Sequence, residues 1–380
     1  MSIITRFRQI QPRHTAFLLL ILLALTSIGL VMIYSSSAIY AERYYGTPYH
    51  FIKRQLIAMV IGIIGIRLAI MFPYKNYKKI IPALMVITFV IMILVLIPGI
   101  GVQVGNARRW IRFFGFGFQP SEVLKFTLII WTASFLVRKK EVLGLFSRGL
   151  LPGFIVLGIF SYLLLLQPDF GTAVLISMTL LLMIFVAGAK PSYMIGSLGA
   201  LSAIGFFLVA STEYRMRRIT GFLNPWADPL DTGYQLIRSL TAVATGGVFG
   251  RGLGDSRQKL FFLPESHTDF VFAILAEEAG FFGILIVLTL LFLLLQKGFE
   301  IAFATQDDFG RNLAFGITVL ILLQSIFHIG VVMGLLPTKG IPLPFISYGG
   351  SSLILNMFLI GVLINIANSR SPKQSDEIEQ

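Results

Sequence analysis

The chain has 380 residues, of which 56% are hydrophobic and 13% charged, and its mean hydropathy is +0.83; soluble domains run at roughly 45–50% apolar and about 25% charged, so a soluble globular protein is excluded. Cysteine is absent, which rules out disulfides, thiolate metal sites and a cysteine nucleophile, and the four histidines (His14, His50, His267, His328) are too scattered for a metal cluster. The balance of 31 Lys+Arg against 18 Asp+Glu gives a net charge of +13, suited to topology signalling or to anionic lipids rather than to nucleic acid.

In chain order, ten stretches approach the roughly 20 apolar residues that cross a bilayer: 16–36, 55–73, 80–98, 121–137, 150–167, 171–188, 192–211, 270–296, 312–335 and 352–368. Arg6, Arg8 and Arg13 before the first run imitate a signal peptide. The run from Ala16 to Ile33 is longer than the ~7–15 residues of a cleavable core, so it reads as a retained span. The fifth and sixth spans meet at LLQPDFGTA (165–173), a tight turn marked by Pro168. With the N-terminus inside, the inner segments hold most of the Lys and Arg, including Lys75, Lys78, Lys79, Arg138, Lys139, Lys140, Arg370 and Lys373. The short outer loops hold only Arg43, Lys53, Arg54, Arg108, Arg109, Arg112 and Lys339, the bias expected for a cytoplasmic N-terminus. Residues 212–269 are also basic, but long loops cross regardless of charge. Within them, 228–247 has a helical pattern, with Asp231 or Thr232 to cap it and Gly246-Gly247 to end it. Leu236, Leu240 and Val243 share a face, so this helix is expected to lie along the membrane surface. The expected fold is an all-α integral membrane protein of ten transmembrane helices. A cytoplasmic segment (1–15) and tail (369–380) flank a membrane domain (16–368), with a long extracytoplasmic loop between helices 7 and 8.

Several polar residues need a reason for being where they are. Glu122 and Lys125 are three apart on the fourth span; they either neutralise one another on entering lipid or line a polar cavity. Gln324 and His328 suit interhelical hydrogen bonds. Asp169 can cap the sixth span or face the same space as Asp269. LLPTKGIPLPFISYGGSS (335–352) holds three prolines and several glycines around Lys339, an irregular path tolerated at membrane depth only when buried in protein or lining a cavity. Asp269, at the mouth of the eighth span, is either a helix N-cap or a reactive carboxylate. Its neighbours Glu265, His267 and Thr268, and basic clusters on the same side, favour chemistry on an anionic lipid headgroup. A carboxylate there takes a proton from an attacking hydroxyl, while cations neutralise leaving phosphates. Those cations are expected to keep Asp269 ionised at neutral pH.

RRWI…FQPSEVLK, QPDFGTA, YRMRRITGFLNPWADPLDTGYQLIRSL, LPESHTDFVFAILAEE and LPTKGIPLPFISYGGSS, in that order over residues 14 to 370, resemble the SEDS family (shape, elongation, division, sporulation). ARRWI, NPWADP, GDSRQKLFFLPE and LPTKG look like its division-type branch more than its elongation or sporulation types. The resemblance implies a ten-span bacterial peptidoglycan glycosyltransferase that polymerises lipid II on the outer face of the cytoplasmic membrane, at the division septum. It implies a class B penicillin-binding protein (a transpeptidase) and other division proteins as partners, and no nucleic acid. The family's essential aspartate matches Asp269, its cavity arginine Arg109, and its fourth-span pair Glu122 and Lys125. The implied reaction is a single inverting displacement. The donor is the glycan on undecaprenyl pyrophosphate, attacked by the 4-hydroxyl of lipid II to give a β-1,4 link. Asp269 is the expected base. Arg109, Lys339 and one or more of Arg215, Arg217 and Arg218 are the expected pyrophosphate ligands, with His267, Thr268 and Ser347 completing the substrate-binding set. The family also implies a divalent cation, Mg²⁺ or Mn²⁺, whose site no carboxylate cluster identifies. A lipid II flippase and a non-catalytic scaffold are the competing readings.

Overall fold

The computed structural model describes residues 12–104, 107–113 and 116–369. Arg6, Arg8, Arg370 and Lys373, with residues 1–11 and 370–380 of the expected terminal segments, lie outside the described residues. The helices are α1 (Pro12–Tyr45), α2 (His50–Met71), α3 (Tyr77–Leu94), α4 (Pro120–Arg138), α5 (Leu151–Leu166), α6 (Phe170–Val186), α7 (Pro191–Ala210), α8 (Glu213–Leu223), α9 (Tyr234–Gly246), α10 (Val271–Ala304), α11 (Asp308–Val332) and α12 (Gly350–Asn368). Each apolar stretch expected to span falls on one of them. Among the described residues nine helices are long and apolar enough to cross a membrane, and α6 is a shorter apolar helix of 17 residues. Proline occupies the first turn of α4, α5 and α7, where its missing N–H costs no hydrogen bond.

The fold is mostly helical rather than all-α. Between α3 and α4 lies a three-stranded antiparallel sheet, β1 (Gly101–Val104), β2 (Ala107–Phe113) and β3 (Phe116–Phe118), in the order β1-β2-β3. Val102 pairs with Trp110 and Ile111 with Phe118. Val102, Val104, Trp110, Ile111 and Phe118 are of the branched and aromatic types that favour strands.

Helices α4 and α11 are the most enclosed, followed by α12, whereas α7 has no buried residue. Helix α2 lies close along α12: Gly62 sits against Met357, and Gly361 against Ile66 and Ala69. Small residues permit such approach where lipid supplies no hydrophobic drive between helices.

Helix α9 is buried on a face about one residue round from the expected Leu236, Leu240 and Val243. Its buried face is Leu236, Ser239, Ala242 and Gly246, which places it against α10 with Gly246 on the Ala276 carbonyl. The Ser239 hydroxyl donates to the Val332 carbonyl at 2.8 Å. Neither Asp231 nor Thr232 caps it: Asp231 pairs with Arg217, and the Thr232 hydroxyl donates to Asp228 at 3.2 Å. Helix α10 is broken at Gly280 (φ 63°, ψ −160°), where the backbone of Gly250 comes so close that no side chain fits at either glycine.

Candidate functional site

The starts of α2, α4 and α12, the sheet, the segment entering α10 and the segment joining α11 to α12 converge at one end of the bundle. They enclose a cavity of about 630 Å³. Arg54 and Ala58 line it from α2, Arg109, Trp110 and Arg112 from β2, and Phe118 and Gln119 from the approach to α4. Glu265, Thr268 and Asp269 line it before α10, and Gly340, Tyr348, Ser351 and Ser352 before and within α12.

Asp269 is not a helix cap. The residue preceding α10 is Phe270, and no side chain caps that helix. The carboxylate is instead aimed by the turn before it. Glu265 adopts φ +53°, costly for a residue with a Cβ, and its carbonyl accepts the N–H groups of Thr268 and Asp269, both at 3.1 Å. The Thr268 hydroxyl donates to the Glu265 carboxylate at 2.9 Å. Opposite stands Gly340, where an added Cβ would lie 3.0 Å from Asp269 Oδ2; the chain can pass there because position 340 has no side chain.

The electrostatics overturn one expectation. Burial chiefly, with repulsion from Glu265 second, raises the Asp269 pKa to about 7, and Arg218 and Arg109 offset this only in part. Cations do not hold it fully ionised at neutral pH, because the loss of water around a carboxylate outweighs charges that other groups partly satisfy.

Arg109 ties the sheet to the turn ahead of α6. Its Nε donates to the Gln167 carbonyl at 3.1 Å and its Nη2 to the Pro168 carbonyl, and its Nη1 is 4.0 Å from Asp169. Asp169 takes the capping role: it accepts from the Thr172 N–H at 3.3 Å and does not line the cavity.

Lys339 and the α8 arginines lie beside the cavity rather than on its wall. Lys339 Nζ is 4.8 Å from the Phe170 ring centre, and the Arg215 guanidinium is 5.9 Å from the same ring. Arg218 donates to the Thr338 carbonyl at 3.1 Å. Burial, then Arg218, pushes the Lys339 pKa down. Arg217 is turned away, paired with exposed Asp231.

Four further candidates, Glu122, Lys125, His267 and Ser347, do not line the cavity. Glu122 and Lys125 form a buried ion pair at 2.8 Å. The His267 ring is packed among Phe51 (4.4 Å), Tyr40 (5.7 Å) and Tyr348 (5.8 Å), and burial lowers its pKa although Glu265 opposes this. The Ser347 hydroxyl accepts the Leu343 N–H at 2.9 Å, bracing the irregular segment. The expected hydrogen bonding of Gln324 and His328 between helices is also absent: His328 Nδ1 donates to the Ile341 carbonyl at 2.9 Å, and neither polar atom of Gln324 has a partner among the described residues.

Arg112, a residue that could anchor at headgroups or hold a substrate phosphate, and Tyr348, one of the hydroxyls of the irregular segment, both line the cavity. The sequence reading missed Arg54, which counted only as a topology signal, and nothing in the local pattern separates the two roles. It also missed Glu277 and Glu278, fully buried in α10. Glu278 receives Lys259 at 2.9 Å and the Ser35 hydroxyl at 2.6 Å; Glu277 receives Arg251 at 3.3 Å and the Arg257 N–H at 3.1 Å.

Fold and site together define a polytopic helical membrane protein with an arginine-lined cavity and a single high-pKa aspartate at one end. The chain belongs to the FtsW/RodA/SpoVE family of cell cycle proteins, the SEDS proteins, whose model matches residues 15–372. It is 45% identical over 355 residues to the "Probable peptidoglycan glycosyltransferase FtsW" of Geobacter sp. (strain M18), covering 93% of this chain and 96% of that protein. It is 44% identical over 351 residues to "Stage V sporulation protein E" of Bacillus subtilis (strain 168), covering 92% and 96%. Among solved structures it resembles a chain from "Structural coordination of polymerization and crosslinking by a peptidoglycan synthase complex", with a TM-score of 0.78, 27% identity and coverage of 93% and 98%. It also resembles the Thermus thermophilus rod shape determining protein RodA, with a TM-score of 0.69, 25% identity and coverage of 93% and 96%.

Proposed function

We propose that this protein is a peptidoglycan glycosyltransferase that polymerises lipid II into β-1,4 glycan at the outer face of the bacterial cytoplasmic membrane, for septal wall synthesis. In this reading both termini are cytoplasmic, ten helices span the bilayer, and residues 212–269 form the large extracytoplasmic loop. The observation that carries it is Asp269 on the wall of a 630 Å³ cavity with Arg54, Arg109 and Arg112. A general base works best with a pKa near the operating pH, and Asp269 sits at about 7.

The chain's groups divide the work as follows. Lipid tails stay in the bilayer, while sugars and pyrophosphate enter the cavity. Asp269 accepts the proton of the acceptor 4-hydroxyl as it attacks the anomeric carbon. Arg109, Arg112 and Arg54 neutralise the departing undecaprenyl pyrophosphate, with Lys339 and Arg218 adding positive field from behind Gly340. The displacement inverts the donor carbon and needs no protein nucleophile, so one carboxylate suffices where glycoside hydrolysis uses two.

The family implies a divalent cation. Among the described residues no group of three or more His, Asp or Glu could hold one. Glu265 and Asp269 both line the cavity and are close enough for Glu265 to raise the Asp269 pKa. One or two carboxylates plus substrate phosphates is a usual magnesium donor set. Glu265, with the substrate phosphates, would hold the ion, which would supply charge neutralisation at the pyrophosphate and leave Asp269 free to accept the proton.

The likeness to a chain from a peptidoglycan synthase complex supports a class B penicillin-binding protein as partner. The test is polymerisation of lipid II by the purified protein in detergent, where no second leaflet exists. Glycan product is expected; its absence, with lipid II transport retained in vesicles, would favour a flippase.

A further inference from the structure

Behind the cavity wall lies a layer of buried polar atoms to which no function is assigned. Gly316 of α11 is packed against Ile129 of α4. Eight residues onward in α11 is Gln324, and eight back in antiparallel α4 is Ser121, each about 12 Å nearer the cavity at 1.5 Å per residue. On α12 the Ser351 hydroxyl accepts the Gln119 N–H at 3.3 Å, which sets Asn356 level with Lys125. His328 is one turn beyond Gln324. Three packed helices thus bring Ser121, Glu122, Gln324, His328 and Asn356 into one polar layer about 12 Å deep, with Asn356 about a turn below Ser121 and His328 about a turn above Gln324, and each is 4% exposed or less.

In that layer Ser121 Oγ, Glu122 Oε2, both polar atoms of Gln324, His328 Nε2 and Asn356 Oδ1 have no hydrogen-bond partner among the described residues. About nine in ten buried polar atoms are paired in folded proteins, and one left bare costs about 1–3 kcal/mol. So many in one layer require an occupant. Most are acceptors. The Ile341 carbonyl can only accept, so Nδ1 of His328 carries the proton and Nε2 is an acceptor too. The occupant must therefore bring hydrogens to several acceptors and still accept from the Gln324 amide and the Ser121 hydroxyl. A metal ion brings none, and the Lys125 ammonium already stands 2.8 Å from the Glu122 carboxylate. Water does both, and buried waters typically make about three such bonds.

We propose that these five residues line a file of ordered waters running beneath the cavity floor, entered past Ser352, which lines the cavity and accepts from the Asn356 amide at 3.2 Å. The water hydrates the free carboxylate oxygen of the Glu122–Lys125 pair. Through His328 it also fixes the carbonyl of Ile341, next to the glycine that abuts Asp269. His328 is thereby a positioning residue for the Asp269 site.

X-ray hydroxyl-radical footprinting of the detergent-purified full chain tests this, because bound water is itself the radical source. Rates are normalised to each residue's intrinsic reactivity. His328, 1% exposed, should label at least tenfold faster than Phe309, 0% exposed in the packed interior. Gln324→Leu/Asn356→Leu should bring His328 down to the Phe309 level while thermal melting still shows a folded protein. Equal, background labelling of His328 and Phe309 in wild type would overturn the proposal, and so would undiminished His328 labelling in a folded double variant. Should the double variant not fold, the wild-type ratio decides alone.

Discussion

Asp269 is pressed between the strained Glu265 turn and Gly340, and both neighbours make predictions at the scale of single residues. With a pKa of about 7, the basic form accumulates only as pH rises through neutrality. Polymerisation should therefore climb about tenfold per pH unit below 7 and level off above it, measured as initial rates on lipid II from pH 5.5 to 8.5. The same shift has a stability consequence of definite sign. Between the unfolded value of 3.8 and about 7, the folded protein holds a proton that the unfolded chain has released, so stability falls as pH rises through that window. Asp269→Asn should then melt higher than wild type at pH 8, and the gap should shrink towards pH 5. At Gly340 an alanine Cβ would meet the carboxylate at 3.0 Å, so Gly340→Ala should fold yet lose roughly tenfold or more of its activity, as misplacement of a reacting group does; unchanged kcat would contradict the contact. The identity of Asp269 was legible in the sequence, because a carboxylate at a span mouth among cations is unusual. Its protonation was not, since burial is a property of the assembled segments around residues 265 and 340.

At the scale of elements, the apolar helices were readable because a bilayer demands long uninterrupted hydrophobic runs. The sheet was not read, because the paired arginines and the adjacent Trp110-Ile111 break the period-two alternation of ARRWIRF and the register shifts between Val102 and Gln103. The break in α10 had no local signal: one glycine in an apolar run looks tolerable, and only the approach of the Gly250 backbone explains it. The segment 247–259 is fastened to that break by the Glu277–Arg251 and Glu278–Lys259 pairs. Removing one member of a buried pair strands the other at a cost of about 3–5 kcal/mol. Lys259→Met should therefore sharply lower folded yield and melting temperature, and Lys259→Met/Glu278→Gln should recover much of the loss. Simple additivity of the two single effects would contradict the pairing.

For the whole molecule, the span order and the grouping of motifs at one end followed from hydrophobic runs and from the alternation of helix direction. The cavity did not, since residues from α2, β2, α12 and the turn before α10 meet there only through packing. Its placement on the outer side rests on the Lys/Arg bias and is open to test, because the chain has no cysteine of its own. A membrane-impermeant maleimide applied to spheroplasts should label Thr47→Cys, between α1 and α2, and spare Lys75→Cys, between α2 and α3, until the membrane is opened; the reverse pattern would invert the topology.

The most direct measurement is polymerisation of lipid II by purified Asp269→Asn beside wild type, in detergent, with folding and lipid binding checked in both. The substitution keeps the shape of the side chain and removes its ability to accept a proton. The account predicts a folded protein that still binds lipid II and makes no glycan. Near-normal polymer from the Asn variant would contradict it and place the base elsewhere in the cavity.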